Sequence, residues 1–328
     1  MKLDLITFGH TTTDVFLKIS DAVVKCDINH QNCQLCFDYA DKIPIDSFNR
    51  EIGGNAPNTA IGTSRLGLNV SIVSSVGRDP NGKFVLNKLT SEGIRSLENI
   101  AIDSFGTDYS TIINFKGERT ILAFHEKRPY VFPDNLTPAK WGYLSSVGED
   151  FIEFNSKFLS WAKEGGVKIA FNPGMYELKA GIGQIKNILE NTDLIIVNKE
   201  EAESLVFEGS IRVEENVKKL LNGLFKLGPN NVVITNGKEG AYLFDGKEYL
   251  YMKTFPGNRI EMTGAGDSFS SGLLSALIYG KDIGEGLRWG AANSASVIQK
   301  VGAIEGLLTK EQMEKTLQDN KSIVPVII

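Results

Sequence analysis

The sequence predicts an α/β fold: a doubly wound, mostly parallel sheet flanked by helices, with a small β-sheet lid, in a single domain spanning residues 1–328. Three observations predict it. Short apolar runs alternate with segments of helical period through the second half of the chain, the pattern of a parallel sheet. Polar residues follow several of those runs, and in open α/β sheets ligands bind beyond the carboxyl ends of the strands. Two β-rich stretches, about 16–50 and about 107–124, interrupt the alternation and can pair into a cover over one end of the sheet.

Leu3–Gly9 reads as a buried strand, ending in a polar turn that carries Asp14. From Val15 to Asn49 the pieces are strand-like without helical period. Glu51-Ile-Gly-Gly-Asn-Ala-Pro-Asn58 opens a helix to about Leu66, and Gly67 stops it. Val70–Val76 is a strand. Asp79-Pro80 supplies an N-cap and first helical residue for the next helix. Two strand patterns between Asp108 and Phe124 flank Lys116-Gly117-Glu118, a hairpin signal.

The alternation then becomes regular. Strand Tyr143–Val147 precedes helix Phe151–Glu164, and strand Val167–Phe171 precedes a helix after Pro173. Strand Leu194–Val197 precedes helix Lys199–Val206, and helix Val213–Leu227 leads to strand Val232–Thr235. Ala241–Phe244 and Glu248–Tyr251 form a hairpin through Asp245-Gly246. Helices Gly264–Tyr279, Ile283–Lys300 and Thr309–Gln318 complete the chain.

Composition narrows the function. With 42% hydrophobic and 23% charged residues the chain is globular, and a net charge of −5 with scattered Lys and Arg gives no electrostatic reason to bind nucleic acid. No apolar run reaches membrane-spanning length and the N-terminus carries no signal-peptide core, so a cytoplasmic protein without a membrane partner is expected. Cys26, Cys33 and Cys36 lie close together around His30, which raises a zinc site against the alternative of reduced, partly buried thiols.

The chemistry concentrates in Glu261-Met-Thr-Gly-Ala-Gly-Asp-Ser-Phe-Ser-Ser-Gly272. Gly264 and Gly266 bare the backbone, and Phe269, Leu273, Leu274 and Leu277 set a helix beginning just after Thr263. A helix start offers unpaired N–H donors to a phosphate group, and Asp267 in its first turn can take the proton of an attacking hydroxyl. Glu149, Asn172, Asn198 and Thr235-Asn-Gly237 follow strands and line the same edge; each alone also reads as a helix cap. Asn198-Lys-Glu-Glu201 can hold water around Mg²⁺ or be a capping box. Gly53-Gly54 lets backbone approach a ligand that Asn58 could also reach.

These motifs resemble, in order, those of the ribokinase-like carbohydrate kinases, the phosphofructokinase-B family. They are Gly53-Gly-Asn-Ala-Pro-Asn58 with Arg65-Leu-Gly67, Val76-Gly-Arg-Asp79, Asn198-x-x-Glu201, Thr235-x-Gly237-x-x-Gly240 and Thr263-Gly-Ala-Gly-Asp267. The resemblance covers nearly the whole chain. It implies ATP-dependent, Mg²⁺-assisted phosphoryl transfer to a hydroxyl of a sugar or nucleoside. It implies Asp267 as the base, with Gly264, Ala265 and Gly266 as the anion hole. It implies Asp14, Gly53, Gly54, Asn58 and Glu149 on the acceptor, and Asn198 and Glu201 on Mg²⁺ and the phosphates. Thr235, Gly237 and Asn293 fall to the nucleotide, and the two insertions to a lid that in many members forms a homodimer interface. The family signature commonly begins Asp-Thr-Thr where this chain has Glu261-Met262-Thr263. That Asp region contributes ligands where members bind K⁺, so the departure puts K⁺ dependence in question. A nucleoside kinase is the nearest competitor, and a non-catalytic binding protein of the same fold a more distant one.

Overall fold

The computed structural model describes residues 3–27, 33–94, 96–207 and 216–328. The chain enters at β1 (Leu5–Phe8), climbs into β2 (Thr12–Lys18), and passes through a hairpin, β3 (Val23–Cys26) and β4 (Cys33–Cys36). It returns along β5 (Ser47–Gly53) into α1 (Asn55–Arg65), β6 (Val70–Gly77), α2 (Pro80–Ser91) and β7 (Ile100–Asp103). β8 (Asp108–Phe115) and β9 (Glu118–Phe124) follow, then β10 (Trp141–Leu144), α3 (Phe151–Gly165) and β11 (Lys168–Phe171). Next come α4 (Met175–Ala180), α5 (Ile182–Glu190), β12 (Leu194–Asn198), α6 (Lys199–Phe207), α7 (Val217–Phe225) and β13 (Val232–Thr235). β14 (Ala241–Phe244) and β15 (Tyr249–Met252) lead to α8 (Ala265–Ile278), α9 (Ile283–Val297), α10 (Lys310–Asp319) and β16 (Val326–Ile327).

A 10-stranded sheet has the order β16-β15-β14-β13-β12-β11-β10-β1-β6-β7. It is parallel from β7 to β13 and antiparallel beyond, as hairpin β14–β15 requires. β1 lies between β6 and β10, so successive connections leave it in opposite directions. That is the switch point at which a doubly wound sheet opens a crevice.

Side-chain alternation divides the core in two. Leu5 and Val233 pack on one face with Ile61, Leu89, Leu273 and Leu287. Ile6, Val232 and Ile234 pack on the other with Phe154, Phe158, Leu189, Leu205 and Leu221. Both faces of the parallel strands are therefore dry, which is why these strands read as continuous apolar runs.

The two interrupting stretches do pair, in a separate four-stranded sheet of order β5-β2-β8-β9. β2 and β8 run parallel at its centre, with antiparallel partners outside. This places Asp14 inside β2, opposite Glu51 and Ser110, rather than in the polar turn expected from sequence. Asp79 ties this sheet to the body: it accepts from the Gly82 amide that starts α2, and from the Thr107 amide and hydroxyl, each at 2.7 Å.

Other expectations shift. The strand expected from Tyr143 begins at Trp141, and the helix after Pro173 is broken in two at Gly181 (φ +78°). The helix expected from Val213 is described from Val217; its start lies outside the described residues. β7 and β16 are additions to the strands expected from sequence. Cys26 and Cys33 are joined in a disulfide across the β3–β4 hairpin, which removes two thiolates from the zinc reading; Cys36 is free and His30 lies outside the described residues. Among the described residues, no helix is long and apolar enough to cross a membrane.

Candidate active site

The site is assembled where β5 hands over to α1 and where α8 begins. Gly53 and Gly54 are there because nothing larger fits. A Cβ on Gly53 would lie 2.0 Å from Asp14 Oδ2, and one on Gly54, at φ +97°, 2.3 Å from the His10 carbonyl oxygen. The glycines thus let α1 start against β2 and leave Asp14 at the mouth of the crevice. Asp14 is buried and accepts from Thr12 Oγ1 at 2.7 Å; burial raises its pKa.

Asn58, on the next turn of α1, donates Nδ2–H to Asp267 Oδ2 at 2.9 Å. Its Oδ1 is buried with no partner among the described residues. α8 starts from Gly264 in the left-handed region (φ +76°), where a Cβ would lie 2.7 Å from Ala303 Cα. Among the described residues, the amides of Gly266 and Asp267 make no backbone hydrogen bond, as expected at a helix start. The Asp267 carboxyl is pushed up to about 6 by burial, and the Asp14 charge adds to the shift while Asn58 and Arg119 oppose it.

Two cavities lie on either side of the turn 262–266. The first, about 300 Å³, is lined by Thr235, Gly237 and Gly240 on one side and by Ala265, Gly266, Ala291 and Ala295 on the other. The second, about 540 Å³, is lined by Asp14, Gly54, Ser110, Glu201 and Thr263, with His10, His125 and Tyr176. Gly237, at φ +50°, turns the chain at the end of β13 without a side chain to fill the first cavity.

Asn198 and Glu201 make both bonds of a capping box: Asn198 N–H donates to Glu201 Oε2 at 2.9 Å and Glu201 N–H to Asn198 Oδ1 at 2.8 Å. Both alternatives read from sequence remain compatible, because the box orients Glu201 on the second cavity. Burial raises the Glu201 pKa, and the Asp267 charge adds to it. The Glu201 carboxylate is an oxygen donor of the kind suited to a hard divalent cation.

Glu261 replaces the expected shorter Asp with a buried carboxylate already supplied with donors. Its Oε1 accepts from the Thr263 amide and hydroxyl, its Oε2 from the Gly302 amide, and Arg119 of β9 comes within 3.7 Å.

Two candidates are not brought to the site. Glu149 is exposed and faces a separate groove beside Pro129 and Tyr130, because the chain turns away after β10. Asn293 is fully buried in α9; it donates to Ser268 O and Ser271 Oγ and accepts from the Leu308 amide, so its amide stitches α8 to α9. Its neighbours Ala291, Ser294 and Ala295 face the first cavity instead. Conversely, His10 and His125 line the second cavity and were not singled out, although His10 stands two residues beyond β1 and the strand-end rule reaches it.

The comparisons agree with this architecture. Over 286 residues the chain is 28% identical to an ATP-dependent 6-phosphofructokinase of Thermoanaerobacterium thermosaccharolyticum, covering 82% of this chain and 86% of that one. It is 27% identical over 253 residues to a nucleoside kinase of Methanothermobacter thermautotrophicus, covering 76% and 79%. The Arabidopsis thaliana ribokinase solved with ribose and ATP superposes with a TM-score of 0.80 at 20% identity, covering 97% and 99%. The model of the pfkB family carbohydrate kinases matches residues 16–310, and the chain belongs to that family.

Proposed function

We propose that this protein transfers the γ-phosphoryl group of ATP to a hydroxyl of a small carbohydrate, with Asp267 as the base and the Gly264–Asp267 turn as the anion hole. The observation that carries the reading is the position of Asp267: in the first turn of α8, hydrogen-bonded to Asn58, at a turn bordered by one cavity on each side. ATP occupies the first cavity, between the β13 turn and α9. The acceptor occupies the second, beside Asp14. Asp267 takes the hydroxyl proton, and the unpaired amides of Gly266 and Asp267 stabilise the charge on the migrating group. Glu201, held by Asn198, would hold Mg²⁺ through water; bound there, Mg²⁺ neutralises phosphate charge. The four-stranded sheet acts as the cover that excludes water.

K⁺ does not fit beside Glu261, whose oxygens are already taken by Thr263 and Gly302 donors with Arg119 supplying positive charge. We therefore expect turnover to be the same when K⁺ is replaced by Na⁺ or by choline.

The test of the main reading is ADP formation with Mg²⁺ATP against a panel of free sugars, sugar phosphates, sugar acids and nucleosides. Asp267-dependent turnover with a sugar supports it. Saturable ATP binding without turnover of any acceptor would leave only a binding protein of this fold.

A further inference from the structure

One polar cluster at the second cavity has no part in the scheme above. Asp108, the first residue of β8, is 1% exposed. It accepts from the Glu126 amide at 3.2 Å and shares a 2.9 Å hydrogen bond with His125 Nδ1. His10 Nδ1 lies 3.3 Å from the same Oδ2, and Arg128 Nη2 3.4 Å from Oδ1. Burial alone would raise the Asp108 pKa, but the bonds from the two imidazoles outweigh it and hold the carboxyl well below the usual carboxylate range. An ionised carboxylate can only accept, so in the uncharged form of the His125 ring the proton sits on Nδ1. The Nε2 lone pair is then left as an acceptor.

His10 backs this ring. Their centroids are 4.7 Å apart, and His10 Nδ1 is also 2.7 Å from the Tyr130 hydroxyl. His125 keeps 26% of its side chain exposed and lines the cavity together with Asp14. One ligand atom from each imidazole and from Asp108 lies within 4.8 Å of the others, but the imidazole nitrogens facing Asp108 are engaged with its carboxylate as hydrogen-bond and ion-pair partners. The Arg128 guanidinium beside the same carboxylate also repels a cation.

We propose that His125, held by Asp108 as a positioning residue, accepts a hydroxyl of the acceptor. Together with Asp14 it selects a neutral polyhydroxylated molecule, a free sugar or cyclic polyol. The inference rests on the kinase reading above and names its substrate class. His125 Nε2 and the Asp14 carboxylate both accept, so each is matched by a hydroxyl that donates. A phosphate or carboxylate group would bring negative charge towards Asp14 and Glu201, and the lysine on this cavity, Lys179, is an exposed one. A nucleobase would find Tyr176 as the phenol ring on the wall; the other rings there are the imidazoles of His10 and His125, both turned to Asp108.

The test compares the wild type with His125→Leu and His125→Gln on the same panel extended with cyclic polyols, reading the acceptor KM, the ATP KM and kcat separately. The expected result is turnover of a neutral polyol, with the acceptor KM of His125→Leu raised about tenfold. Its ATP KM and kcat should stay within about threefold, which also shows that the variant is folded. His125→Gln, whose Oε1 can accept, should recover part of the loss. In nitrogen NMR of the wild type, the His125 ring should carry its proton on Nδ1, and Asp108→Asn should weaken that preference. A wild type that prefers sugar phosphates, acids or nucleosides overturns the proposal while leaving the kinase reading intact. So does an unchanged acceptor KM in His125→Leu, or a wild-type ring protonated on Nε2. No turnover with any acceptor overturns both.

Discussion

At the scale of single residues, the site depends on a carboxylate kept costly to ionise. With Asp267 as the proposed base and its pKa pushed up to about 6, the ionised form is lost as pH falls through that value. kcat/KM should therefore fall tenfold per unit below about pH 6 and level off above it. Asp267→Asn retains an oxygen for the Asn58 amide yet has no base, so kcat should drop by ~10³-fold. The same shift acts on stability with a definite sign: a raised acid pKa makes ionisation oppose folding, so stability declines as pH rises from about 4 to about 6. Asp267→Asn should accordingly melt higher than the wild type at neutral pH. A calorimetric scan showing the variant destabilised would remove burial as the cause of the shift. Gly53→Ala tests the other wall. Its methyl group would meet Asp14 Oδ2 at 2.0 Å, so it should cost about 1–3 kcal/mol in urea unfolding and raise the acceptor KM.

At the scale of elements, most of the fold was legible because the buried strands announce themselves as apolar runs and the helices by caps. Thr309 and Gln312 form a full capping box at α10, and Asp79 caps α2 as its sequence promised. What sequence could not give was partnership. Asp14 looks like a turn residue until β5 and β8 pair on either side of it, and Asn293 looks like a ligand contact until its amide is found joining α8 to α9. The cluster around Asp108 draws on His10 and His125, 115 positions apart by residue number, and no local pattern links them. α4 holds a further case. Glu177 is 0% exposed, accepts the Gly174 amide at 3.1 Å, leaves Oε1 without a partner among the described residues, and is pushed up to about 7 by burial. Its charge opposes folding above that pH. Glu177→Gln should stabilise the protein by about 1–3 kcal/mol at pH 8 and add nothing near pH 4.5, read from melting curves at the two pH values.

At the scale of the whole molecule, two dry faces bury the large sheet while the small sheet keeps an apolar surface open. β9 is its edge strand, and Leu122 and Phe124 on it are 58% and 57% exposed. An edge with such side chains invites a second copy of the chain. We expect a homodimer in sedimentation at micromolar concentration, and a monomer when both residues are changed to Glu. A monomeric wild type would refute this. The turn 262–266 lies between the two cavities, and Thr263 is the hydroxyl side chain it carries. Under the proposed scheme the phosphorus atom crosses that partition once. A chirally labelled γ-phosphate should then emerge with inverted handedness, and labelled ADP should not exchange into ATP until the acceptor is present.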